Sequence, residues 1–192
     1  MNRLVLVGTL FAGACGSADD RPPTLDYITE TILEPSCASA ECHSAFKRQV
    51  GDQFDTVAAA RHSIVGNRMV ITEDVAAPES SYLVKTLTVG SLSELNPSSG
   101  DLIRMPYDAP LPDADIELIK TWIRMGFPGA QCEPNANNQG CRVTTVRVNG
   151  SNVPVYDVVE CTDGTIGAVV STCTGDQVCT VSTGNGQCVT PQ

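Results

Sequence analysis

Apolar positions repeat at steps of three and four in several segments between residue 24 and about residue 130, then alternate with polar ones in the runs that follow Cys132. The first stretch, TLDYITETIL (24–33), gathers Tyr27, Ile28, Thr31 and Ile32 on one helical face. Thr24 is its N-cap, and Pro35 stops it beyond Leu33. DTVAAARH (55–62) predicts a second short helix, capped by Asp55 and followed by Gly66, and SSYLVKTL (80–87) a third. Residues 88–112 are crowded with Ser, Pro, Gly and Asn and read as loop. The clearest helix is PDADIELIKTWIRMG (112–126), with Asp113 as N-cap, Asp115 and Glu117 near the positive end of its dipole, and Gly126 closing it. Ile116, Ile119, Trp122 and Ile123 form its apolar stripe, each contributing roughly 1.5–3 kcal/mol if fully buried. Met125 reads as a packing residue beside it.

After Cys132 the period falls to two. RVTTVRV (142–148) and VPVYDVVE (153–160) are strands joined through NGSN, whose Asn149–Gly150 pair suits a tight hairpin, and GAVVSTC (167–173) is a third. The pattern predicts an α+β fold of segregated domains: helices over 24–130, then a small disulfide-rich β module over 131–192. Only 5% of the 192 residues are aromatic and 12 are proline, so the core is modest and the tail needs covalent staples to hold a shape. That tail reads as a stapled module without chemistry of its own.

Charge narrows the partners. Twelve basic residues against 22 acidic ones give a net charge of −10, which argues against nucleic acid. The N-terminus, MNRLVLVGTLFAGAC, has a positive Arg3, an apolar run from Leu4 to Ala14 and small residues before Cys15, the layout of an export signal over residues 1–14. Small residues followed at once by cysteine resemble the lipobox of bacterial lipoproteins, although Ala12 stands where leucine is usual. That resemblance implies a lipid on Cys15, a tether over 15–23 and attachment to a membrane surface without spanning it; the alternative is a plain signal peptide with Cys15 incidental. Export also governs the nine cysteines, since thiols outside the cytoplasm become oxidised or otherwise committed. Setting aside Cys15 and the pair Cys37 and Cys42 leaves Cys132, Cys141, Cys161, Cys173, Cys179 and Cys188, an even number whose pairing the sequence leaves open.

The pair belongs to EPSCASAECHSAF (34–46). Covalent haem needs two thiols to add across the vinyl groups and an imidazole placed to reach iron, and a histidine directly after the second cysteine meets both demands. Four residues, ASAE, separate these cysteines where two are usual. They can loop outward without moving Cys42 relative to His43. A short-loop disulfide between Cys37 and Cys42 is the competing use of the same thiols.

ILEPSCASAECHSAF, followed by RMPYDAPLPDADIELIKTWIRMG, resembles the small single-haem c-type cytochrome domains of exported bacterial proteins over residues 24–128. The resemblance implies a cytochrome c-like helical domain with one covalent haem c, held by Cys37 and Cys42. It also implies His43 as proximal ligand, Met105 of the Met–Pro pair as distal ligand, and one-electron transfer as the work. Met69 and His62 compete with Met105 for the sixth position. The expected partners are redox proteins, favoured by basic patches against the acidic surface, and the expected location is the bacterial cell envelope. The rival is a haem-free structural or binding lipoprotein. Other chemistry is poorly represented: no Gly-x-Ser-x-Gly, phosphate loop or His-Glu-x-x-His occurs, GDQFDTV lacks the acidic spacing of a calcium loop, and no acid–base pair stands out. An electron carrier, rather than a catalyst, is the expectation.

Overall fold

The computed structural model describes residues 19–89, 104–106, 109–133, 137–182 and 185–191. Thr24 caps the first helix as expected, its hydroxyl accepting the Tyr27 N–H at 3.3 Å. The helix does not stop before Pro35. It runs from α1 (Leu25–Ile28) through a widened π turn (Thr29–Leu33) into α2 (Glu34–Cys37). In the widened turn the Glu34 N–H reaches back to the Thr29 carbonyl. Pro35 falls in the first turn of the following segment, where a missing N–H is tolerated. Of the predicted face, Ile28 and Ile32 are buried, together with Leu25, Thr29 and Leu33, whereas Tyr27 is half-buried and Thr31 is exposed.

Helix α3 (Val57–Gly66) is capped by Thr56, whose hydroxyl accepts the Ala59 N–H at 3.2 Å. Asp55, expected as that cap, is engaged elsewhere: it accepts the Ala45 N–H at 2.8 Å and the Gln53 side-chain amide at 2.5 Å. Helix α4 (Tyr82–Thr88) begins at Ser81, whose hydroxyl caps the Val84 N–H. Helix α5 (Asp113–Arg124) has Pro112 at its N-cap, so Asp113 lies one position inside the helix. The predicted stripe holds: Ile116, Ile119, Trp122 and Ile123 are buried together with Leu118. Trp122 donates from Nε1 to the Pro128 carbonyl at 3.0 Å, and Phe127 meets its ring edge-on. Met125, expected to pack, is 61% exposed, because the helix ends there and its side chain falls outside the stripe.

The strands form two antiparallel sheets. β1 (Gln139–Val148), β2 (Ser151–Thr162) and β3 (Thr165–Thr172) lie in that order, and β4 (Val178–Ser182) pairs with β5 (Asn185–Val189). Asn149 and Gly150 join β1 to β2 with φ of 51° and 83°, the paired positive values a two-residue hairpin turn favours. Disulfides Cys132–Cys161, Cys141–Cys179 and Cys173–Cys188 tie the incoming chain to β2, the two sheets to each other, and the end of β3 to β5. Asp157, buried on β2, accepts from Arg142 at 2.6 Å and Thr172 at 2.7 Å, linking all three strands of the first sheet. The result is an α+β chain with its helices first and its disulfide-bonded strands last. Against the helical part, the β2–β3 turn is seated closely: a side chain at Gly164 would meet the Gly129 carbonyl at 2.0 Å.

Candidate functional site

The end of α2 delivers Cys37 into the apolar interior, where it is 7% exposed. The chain then makes a small outward loop. Cys42 donates its N–H to the Ser39 carbonyl at 3.0 Å, and His43 donates its own to the Cys37 carbonyl at 3.0 Å. Ser39, Ala40 and Glu41 are exposed at the tip while His43 is buried. The additional residues between the two cysteines are therefore absorbed on the solvent side, and Cys37 and His43 stay linked by their backbones.

A second segment supports the histidine. Gln49 donates to the Cys42 carbonyl at 2.9 Å and Phe54 to the His43 carbonyl at 2.8 Å. The Phe54 ring packs edge-on against the imidazole, centroids 5.4 Å apart. Between them the chain reverses through positive φ at Arg48 (48°), Val50 (52°) and Gly51 (91°), a conformation that leaves Phe46 and Val50 projecting outward. Met105 comes from the far side of the sequence and is hung on α4, its N–H donating to the Thr86 carbonyl at 2.8 Å.

These residues wall two adjoining cavities. The inner one, about 70 Å³, is lined by Cys37, His43, Asp52, Met69 and Met105 among apolar side chains of α4 and its neighbours. The outer one, about 650 Å³, is lined by Cys37, Cys42, His43, Lys47, Met105 and Pro106, a size within the usual range for cofactor pockets. Cys37, His43 and Met105 belong to both. The structure thus brings together the four candidate residues of the helical part, Cys37, Cys42, His43 and Met105. Of the competitors, Met69 is buried and reaches only the inner cavity. His62 lines neither; it is exposed on α3, its Nδ1 2.5 Å from Glu133 Oε1. The candidate lipidation residue Cys15 lies outside the described residues.

The electrostatics of the site are set by burial. Burial pushes the Cys37 thiol up to about 12, with Cys42 adding to the rise. His43 is 6% exposed, and its Nδ1 has no hydrogen-bond partner among the described residues. Leaving a buried polar nitrogen unbonded costs free energy. Neither Cys37 nor Cys42 is bridged, although all six described cysteines of the strand region are. Asp52, which also lines the inner cavity, was not singled out from the sequence, because GDQFDTV shows no more than an incomplete calcium loop. Among the described residues, no group of three or more His, Cys, Asp or Glu is arranged to hold a metal ion.

No family model, curated protein or solved structure matches the chain. Among the described residues no helix is long and apolar enough to cross a membrane.

Proposed function

We propose that the chain is an exported, lipid-anchored c-type cytochrome-like protein that carries one covalent haem and transfers single electrons. The observation that carries this reading is the convergence of Cys37, Cys42, His43 and Met105 on one cavity of about 650 Å³, with both thiols unbridged. The residues fit the group: two free thiols, one buried and one exposed, and the His43 imidazole line the same cavity as the Met105 thioether. In this reading Cys37 and Cys42 form the thioethers, His43 is the proximal ligand and Met105 the distal one. Bound haem would supply one-electron exchange between ferric and ferrous iron, with the electron drawn from one redox protein and passed to another.

The chain's own residues set the conditions. A thioether ligand favours ferrous iron and raises the potential above that of a bis-histidine centre. Leu33, Phe54, Leu83 and Leu87 keep water from the inner wall, while the Cys42 side opens to solvent. The division into a tether over 15–23, a haem domain over 24–130 and a β module over 131–192 belongs to the same reading. So does residence in the bacterial cell envelope, with Cys15 carrying the lipid. The excess of carboxylates favours redox partners bearing basic patches, with association weakening as salt rises.

The test is an absorption spectrum of protein matured in an export-competent host with haem-attachment machinery. A sharp reduced α-band that His43→Ala removes supports the reading. A colourless protein with Cys37 and Cys42 joined by a disulfide instead supports a haem-free scaffold lipoprotein.

A further inference from the structure

Asp52 is a buried carboxyl, 7% exposed, on the wall of the same inner cavity as His43. The segment that carries it is fastened to the candidate haem motif on both sides. Asp52 donates its N–H to Gln49, Gln49 donates to Cys42, and Phe54, two residues on, donates to His43. One carboxylate oxygen, Oδ1, is occupied by the Asn67 amide at 2.5 Å; among the described residues Oδ2 accepts no hydrogen bond. Facing the same cavity is the His43 imidazole, whose buried Nδ1 has no partner among the described residues. Burial pushes the Asp52 carboxyl up, while the Asn67 amide and the neighbouring His43 pull it down, so the histidine lies within electrostatic reach. A carboxylate with a spare oxygen and a buried imidazole nitrogen without a partner among the described residues line one cavity, on segments hydrogen-bonded to each other. The Asn67 bond restrains the carboxylate through its other oxygen.

We infer that Asp52 is the positioning residue of the His43 imidazole, its free oxygen accepting the Nδ1–H so that Nε2 is turned towards the iron. The inference rests on the haem reading and adds to it. A carboxylate behind a ligating histidine fixes the tautomer and ring orientation and makes the ligand more basic. A more basic ligand favours ferric iron, so Asp52 lowers the potential that the thioether raises.

The experiment uses the haem-loaded chain, wild type beside Asp52→Ala and Asp52→Asn. In the reduced protein, the wild-type His43 Nδ1–H resonance is expected well downfield and protected from exchange. In Asp52→Ala it moves upfield and exchanges at least tenfold faster, and both variants show a raised potential. A potential change alone reports only a lost charge; the Nδ1–H shift reports the hydrogen bond. Should Asp52→Ala fail to accumulate, the wild type itself decides, since an Nδ1–H at the position of an unbonded imidazole overturns the assignment. Haem-loaded protein with an Nδ1–H indifferent to Asp52 overturns this inference and leaves the haem reading standing. Wild-type protein that never takes up haem overturns both.

Discussion

Cys37 and Cys42 lie in one short loop, yet their environments are opposite: one thiol is buried and resists ionisation, the other is open to solvent. Reactivity follows the thiolate fraction and access. In haem-free protein at pH 8, iodoacetamide is therefore expected to label Cys42 quickly and Cys37 at least tenfold more slowly, as read by peptide mass spectrometry; equal rates would contradict the buried placement of Cys37. The same burial has a pH consequence. An unfolded thiol ionises near 9.0 and the buried one near 12, so the unfolded state sheds its proton first as pH rises. Stability of the haem-free chain is present in full below pH 9 and declines across the window up to about 12. Denaturant midpoints measured from pH 8 to 11 should fall, and Cys37→Ala should flatten the fall. Met69 and Met105 are separated by a further pair of variants. Met105→Ala is expected to lower the potential and disturb the low-spin spectrum, whereas Met69→Leu leaves the ligation intact; the opposite pattern would make Met69 the sixth ligand.

At the scale of elements, α5 anchors the helical part. Trp122 and Ile119 are fully buried, and Ile119→Ala is expected to cost about 2–5 kcal/mol in chemical denaturation. The β2–β3 turn anchors the other half through its approach to Gly129. Gly164→Ala places a methyl where a carbonyl already stands, at φ of 77°, and is expected to cost about 1–3 kcal/mol or more, with the damage concentrated in the strands. These elements also show what was legible in the residues alone. The α5 stripe, the Asn149–Gly150 hairpin and the Thr24 cap were readable because each depends on local spacing or on a local side-chain bond. The continuation of the first helix past Pro35 was not, because it depends on a π turn that leads into α2 and leaves Pro35 in the first turn of that segment. Asp55 and Asp113 were misassigned as caps for a similar reason: neighbours Thr56 and Pro112 occupy those positions, and Asp55 is drawn away by Ala45 and Gln53. In the candidate site, the Cys37–Cys42–His43 cluster was visible because it is contiguous. Asp52 was not, since its significance comes from a cavity it shares with His43 and from a hydrogen bond to Asn67.

Across the whole molecule, stability is supplied by two different means. The helical part buries a continuous apolar core, whereas the strands bury little beyond Val158, Val159 and Cys161 and rely on three disulfides. Each such bridge typically contributes about 2–4 kcal/mol, chiefly by restricting the unfolded chain. Reduction is therefore expected to abolish the β signal in far-ultraviolet circular dichroism while leaving the helical signal, and simultaneous loss of both would show that the two parts depend on each other. Acid acts on the strands as well. Arg142 and Thr172 hold the Asp157 carboxyl below its ordinary range, so its contribution is present above about pH 4 and is lost as pH falls through the lowered value. The central claim, however, concerns the cavity between Cys37, Cys42, His43 and Met105. Its most direct test is the intact mass of the exported, denatured protein: a gain of one haem that persists through denaturation and disappears in Cys37→Ser/Cys42→Ser is the predicted result. A polypeptide mass without haem after maturation beside active attachment machinery would contradict the account.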